Sequence, residues 1–198
     1  MWSAAILAGG RATRFGGRDK GALIVDGTSI RAHQLAALAQ IALDIMIVGG
    51  EPAADQTAVP VRTIADRVRG CGPLGGLHAA LTEARGDATV ILACDMPFVS
   101  ATFLAYLLGL TSEADAIVPR TDRGYHPLCA AYTRACVEPI AGRLAGGRLK
   151  MIGLLDDLRV RVVTTEEMRA FGDPEALVAN VNTPAEYRCL EAVQRHEL

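Results

Sequence analysis

Short apolar runs alternate along this chain with longer stretches in which apolar residues recur every three or four positions. The runs at Ser3–Ala8, Asp44–Val48, Val61–Ala65, Ala88–Cys94, Asp115–Pro119, Cys129–Tyr132 and Val160–Val163 read as strands. Several are apolar throughout, as expected of strands covered on both faces. Between the first two, Leu35, Leu38, Ala39 and Ala42 repeat at helical spacing and predict a helix over Ile30–Ala42. A second helix is predicted over Pro73–Arg85, with Pro73 in its first turn and Leu74, Leu77, His78 and Leu81 on one face. Further helices are expected after Ser100, around Arg134–Leu144, and from Thr183 onward, where "NTPAE" offers a cap, a first-turn proline and an early glutamate. Strands alternating with helices predict an α/β fold: a mostly parallel sheet between two helical layers. Such sheets bind ligands outside the carboxyl ends of their strands. With no repeat, low-complexity tract or linker, residues 1–198 read as one domain.

Composition narrows the class. A chain of 198 residues can bury a full core without disulfides or metals, and 51% hydrophobic content argues against disorder. A formal net charge of −2 gives no reason to expect nucleic acid or a membrane surface as the main partner. The five cysteines, Cys71, Cys94, Cys129, Cys136 and Cys189, are odd in number and nowhere spaced as C-x-x-C. That suits a reduced, cytoplasmic chain with mostly buried thiols. No run is long enough to span a bilayer, and "AAILAGG" breaks into arginines before any secretory pattern develops.

The first strand empties into "GGRATRFGGRDKG", a loop rich in glycine, arginine and lysine. Glycines let backbone amides approach phosphate oxygens, and Arg14 and Lys20 add positive charge beyond them. An ordinary surface turn with solvated arginines would read the same way. The loop is neither a Walker A sequence nor G-x-G-x-x-G. It does resemble the L-A-G-G-x-x-x-R-M-G-G-x-D-K signature of the molybdenum cofactor guanylyltransferases, with Phe15 in place of the usual methionine. The resemblance implies a Rossmann-like nucleotidyltransferase fold with a mixed sheet, its N-terminal half holding the nucleotide and its C-terminal half the acceptor. It implies that Leu7, Ala8, Gly9 and Gly10 line a guanine nucleotide and that Lys20 reaches its phosphates. Relatives that use CTP read L-A-A-G here, so Gly9-Gly10 favours GTP by analogy.

"ILACDMPFVS" places Asp95 just beyond an apolar run, where a carboxylate projects toward the same rim as the loop. It is a hard oxygen ligand of the kind Mg²⁺ takes together with phosphate and water, although an aspartate before "MP" is also a turn former. The family's C-D-x-P motif makes Asp95 the metal-ligand candidate. Asp66 ends another apolar run ahead of "GPLGG" and becomes a nucleotide-site residue by the same resemblance; an Asx-turn would also account for it. Gly70, Gly72 and Gly75 formally satisfy G-x-G-x-x-G, but the polar "DRVRG" separates them from their strand, unlike a dinucleotide fingerprint.

In the second half, "YHPLCAAY" resembles the family's H-P segment leading into a strand that runs against the others, and "NVNTP" matches its ending. The resemblance suggests His126, Asn180 and Asn182 as acceptor-side residues; turn-making and helix capping would explain them equally. Arg148 and Lys150 could steer an anionic acceptor or simply form a solvated face. Near Val48-Gly49-Gly50 some relatives carry an asparagine that this chain lacks.

The activity implied is transfer of GMP from GTP to the terminal phosphate of molybdopterin, releasing pyrophosphate, with Mg²⁺ as cofactor. Transient contact with molybdenum cofactor enzymes or their chaperones is expected as the product is handed on. An acceptor phosphate is already anionic near neutral pH, so no general base is needed. Lys20, Arg14 and Asp95 are the expected catalytic groups, acting by positioning and charge neutralisation. The alternatives are a CTP-dependent or other small-phosphate nucleotidyltransferase, or a non-catalytic GTP-binding module.

Overall fold

The computed structural model describes residues 1–8, 20–25, 27–50, 59–65 and 70–181. Strand β1 (Trp2–Leu7) is followed by a 3-10 turn at Lys20–Ala22 and a hairpin of β2 (Ile24–Val25) and β3 (Thr28–Ser29). Then come α1 (Ile30–Leu38), β4 (Asp44–Val48), β5 (Val61–Ile64), α2 (Gly72–Glu83), β6 (Ala88–Ala93) and α3 (Ala101–Gly109). The second half contains β7 (Ala116–Thr121), β8 (Gly124–Tyr125), β9 (Cys129–Thr133), α4 (Val137–Ala145), α5 (Met151–Leu154), β10 (Val160–Val163), α6 (Thr165–Met168) and α7 (Pro174–Leu177).

The main sheet runs β10-β7-β9-β6-β1-β4-β5, with β8 paired to β7. Strands β1, β4, β5 and β6 are mutually parallel, and β10 is parallel to β7. Strand β9 runs against both β6 and β7, as the sequence resemblance implied, so β6 and β7 point the same way. Period-two alternation divides the core between the two faces. Ala4, Ile6, Ile45, Ile47, Val90 and Leu92 pack with α1 and α3 through Leu35, Leu38, Phe103 and Leu107. Ala5, Leu7, Met46, Val48 and Ile91 pack on the other face with Leu74, Leu77 and Leu81 of α2 and Ile140 of α4. The result is an α/β fold of three layers.

Chain order sets where a ligand can sit. From β1 the chain moves outward to β4 and β5, then returns to β6 on the other side of β1. That reversal opens a crevice at the carboxyl ends of β1 and β6. Leu7, the end of β1, is paired with Ala93, the end of β6.

Local signals placed several boundaries. Ser100 caps α3, its Oγ accepting from the Phe103 N–H at 3.3 Å, and Pro73 sits in the first turn of α2. Helix α1 is shorter than its periodicity suggests: beyond Leu38 the Gln40 and Ile41 N–H groups bond three residues back, and the helix tightens to a stop. Strand β7 runs two residues past Pro119, because β8 folds back onto Arg120 and Thr121. The expected C-terminal helix from Thr183 lies outside the described residues.

Candidate active site

The carboxyl end of β1 is tied to both neighbours beyond its regular pairing. The Ala8 N–H donates to the Val48 carbonyl at 2.9 Å, and the Cys94 N–H donates to the Leu7 carbonyl at 3.3 Å. The residue that opens the glycine loop and the residue before Asp95 thus lie just past the ends of adjacent, hydrogen-bonded strands. Asp95 is 8% exposed, and its backbone carbonyl accepts from the Val181 N–H at 2.8 Å. Pro97, also buried, follows within the turn.

Two further residues shape this rim. A Cβ on Gly50 would meet the Ala8 Cβ at 2.6 Å, closer than side chains tolerate, so glycine here lets the β4 end lie against the loop's origin. That accounts for glycine at position 50. Gln34 of α1 is fully buried and donates its side-chain amide to the carbonyls of Ala93 at 2.7 Å and Met96 at 3.1 Å. In the sequence Gly50 draws notice only for lacking the asparagine of some relatives, and Gln34 draws none. Gly50 sits in an ordinary turn string, and Gln34 looks like a polar residue on a helix whose other face is apolar.

The glycines of "RGCGPLGG" serve the backbone. Gly70 and Gly72 adopt φ of +86° and +61°, which other residues resist, and Gly76 packs against Leu7. A dinucleotide role is not needed to explain them.

On the same rim, separated from β6 by β9, the ends of β7 and β10 border a cleft of about 390 Å³ lined by Arg120, Thr121, Asp122, Val162, Thr164 and Thr165. His126 is half-buried beside it, its Nε2 2.9 Å from Thr121 Oγ1 and its N–H donating to the Pro119 carbonyl at 2.9 Å. Burial holds the His126 pKa below the ordinary histidine value and outweighs the opposing pull of Glu175; Arg123 pushes the same way as burial. The imidazole is therefore neutral near pH 7. Asn180 is exposed, next to buried Val181, which bonds the Asp95 turn. Arg148 is ion-paired with Asp157 at 3.6 Å. Of the other sequence candidates, Gly9, Gly10, Arg14, Asp66 and Asn182 lie outside the described residues, and of Lys20 only the backbone is described.

A model of the MobA-like NTP transferase domain matches residues 4–163. The chain belongs to the MobA-like NTP transferase family. This transferase is 33% identical over 181 residues to a "probable molybdenum cofactor guanylyltransferase" of Pelotomaculum thermopropionicum, spanning 91% of this chain and 87% of that protein. It is also 33% identical over 190 residues to a molybdenum cofactor guanylyltransferase of Desulfosudis oleivorans, covering 94% and 93%. Among solved structures, the molybdopterin-guanine dinucleotide biosynthesis protein A of Archaeoglobus fulgidus superimposes with a TM-score of 0.80 at 25% identity, over 98% of this chain and 99% of that one. The nucleotidyltransferase fold and enzyme class implied by the sequence motifs are those of the chain.

The Cys129 and Cys136 thiols are buried, and burial pushes both up to about 12, far from reactive. Among the described residues no helix is long and apolar enough to cross a membrane.

Proposed function

We propose that this transferase moves GMP from GTP to the terminal phosphate of molybdopterin, forming the guanine dinucleotide and releasing pyrophosphate. One observation supports it most directly: the Cys94 N–H on the Leu7 carbonyl, which binds the Asp95 strand to the strand that opens the glycine loop. The names of the relatives supply the identity of base and acceptor. Arg14, Lys20 and the amides of the loop, including Gly9 and Gly10, would neutralise the β- and γ-phosphates of the leaving group. Leu7 and Ala8 would line the nucleotide at the β1 end, with Asp66 nearby.

Among the described residues no three His, Cys, Asp or Glu side chains gather at one point. Among the described residues the rim offers a cation one buried carboxylate, Asp95, leaving other positions for phosphate oxygens and water. That donor set fits Mg²⁺, which keeps several waters and takes few protein ligands. When bound, the ion would supply charge stabilisation at the phosphates. Its only described protein ligand would be Asp95.

The cleft beyond β9 suits the acceptor side. Neutral His126, held by Thr121, would offer a ring nitrogen to a polar pterin edge, and Asn180 and Asn182 would add amide donors. Because the acceptor phosphate is already ionised, these groups need only orient it in line with the α-phosphate.

The test is pyrophosphate release with molybdopterin present, from Mg·GTP and Mg·CTP in parallel. Release from GTP, absent without molybdopterin, is expected. Equal or faster release from CTP would overturn the base assignment, and binding without turnover would leave a regulatory module. Asp95→Ala is expected to lower kcat at least about a hundredfold, the scale of losing one preorganised electrostatic group. Lys20→Ala should weaken GTP binding and slow transfer together.

A further inference from the structure

The turn that carries Asp95 is held from below by the side chain of Gln34. Gln34 is fully buried in α1, and both donors of its amide go to backbone: Nε2 lies 2.7 Å from the Ala93 carbonyl and 3.1 Å from the Met96 carbonyl. Those two carbonyls bracket Cys94-Asp95. Both partners are carbonyl oxygens, so only one orientation of the amide is tenable; the flipped one would set oxygen against oxygen. A further tie comes from Val181, whose N–H bonds the Asp95 carbonyl at 2.8 Å.

The same helix also grips the segment that follows the glycine loop. His33, the neighbour of Gln34, places Nε2 2.8 Å from the Val25 carbonyl, and the Ile30 N–H donates to the Leu23 carbonyl at 2.9 Å. Val25 and Ile30 share a small apolar cluster with Val181, against which Leu23 and Phe98 pack. Helix α1 therefore braces the hairpin after Lys20 against the turn of Asp95.

The glutamine carries a cost of its own here. Its Oε1 is buried and accepts no hydrogen bond among the described residues. A buried acceptor left so is costly; an apolar side chain of similar volume would avoid that cost but withdraw the donor from the Ala93 and Met96 carbonyls. What the apolar side chain could not do is fix the distance between the Ala93 and Met96 carbonyls. We infer that Gln34 is a positioning residue: by clamping the two carbonyls on either side of Cys94-Asp95 it aims the Asp95 carboxylate across the seam between β1 and β6. The inference rests on the role of Asp95 proposed above. Displacements of about 1 Å at such a group cost on the order of a hundredfold in rate.

The experiment uses the full chain with Gln34→Met, which keeps the volume and removes the donors, beside Gln34→Glu and Asp95→Asn. For Gln34→Met the expected result is a kcat about 10- to 100-fold lower per folded molecule, with the KM for GTP within about threefold of wild type. Amide hydrogen exchange, read without metal or nucleotide, should be at least about tenfold faster at Val181, whose N–H reports on the Asp95 carbonyl. Gln34→Glu keeps the shape, donates to one carbonyl when protonated and repels both when ionised. Its kcat relative to wild type should fall as pH rises, which a purely space-filling role would not produce. Wild-type kcat per folded molecule in both variants would overturn the inference, as would unchanged exchange at Val181. Should Asp95→Asn retain full activity, the catalytic reading of Asp95 has failed instead, and exchange at Val181 alone then decides whether Gln34 holds the turn.

Discussion

At the scale of single residues, the rim shows how little of a site is written in one side chain's chemistry. Gly50 has no unusual φ and no functional group; its importance is the 2.6 Å that a Cβ would leave to Ala8. Gly50→Ala must therefore push Ala8, whose N–H is tied to Val48, and displace the origin of the loop. The expected outcome is a KM for GTP raised about tenfold with kcat less affected, measured by steady-state pyrophosphate release. Gly142 in α4 is the counterpart: nothing lies within 4 Å of its Cβ position. Gly142→Ala should stabilise the protein by roughly 0.5–1 kcal/mol in denaturant unfolding, through helix propensity alone, and leave KM unchanged. Asp95 and the glycine loop stand out in the sequence because strand ends and glycine strings are local signals. Gln34 does not, and the reason for glycine at position 50 is equally hidden, because each acts on a residue far away in sequence, Gln34 across 59 residues to Ala93.

At the scale of elements, the long apolar strands were legible for a physical reason: β1, β4 and β6 are buried on both faces and read as unbroken runs. The two-residue strands β2, β3 and β8 carry too few positions for any period to show, and exist because their hairpins dock on neighbours. The four-residue α6 is likewise made by contacts. Its Thr164–Glu167 capping box is joined by Arg161 of β10 and Tyr106 of α3, all converging on the Glu167 carboxylate. The Arg161 guanidinium foremost, helped by Thr164 and Tyr106 against the cost of burial, holds Glu167 down at about 2. A carboxyl whose folded value lies below its ordinary one stabilises the fold above that ordinary value. The stabilisation is lost as pH falls through the folded value. Wild-type stability should therefore decline as pH drops from about 4.5 toward 2. Glu167→Gln should flatten that part of the profile while being less stable at neutral pH, as followed by thermal unfolding across pH. An acid limb of unchanged slope in the variant would show that α6 is held by packing instead.

At the scale of the whole molecule, the two ends of the sheet do different work. At the amino ends, Asp44 is buried within a closed set of donors: Ser3 Oγ at 2.7 Å, the Arg85 N–H at 2.9 Å and Arg62 Nη2 at 2.7 Å. Burial alone would raise its pKa, yet these bonds prevail and hold it below the usual carboxylate range. Ser3 in turn accepts from the Gly86 N–H at 2.8 Å, so one aspartate joins β1, β4, β5 and the turn into β6. At the carboxyl ends stand the polar side chains to which the proposed chemistry is assigned, and Gln34 leaves an acceptor unmet among the described residues. A molecule arranged this way should let stability and turnover be altered independently. Asp44→Asn removes the charge that Arg62 needs and should cost about 2–3 kcal/mol, lowering Tm by roughly 5–10 °C. Its kcat, measured well below that Tm, should stay within about twofold of wild type, since Asp44 acts on the fold and not on the reaction. Asp95→Asn should do the reverse, abolishing turnover with Tm changed by no more than a few degrees. The comparison is decisive only as a pair, because each variant serves as the other's control for general damage to the fold. A folded Asp44→Asn protein with strongly reduced kcat would mean that strain at the amino ends reaches the site along β1 and β4, two strands paired on both sides that run from one network to the other.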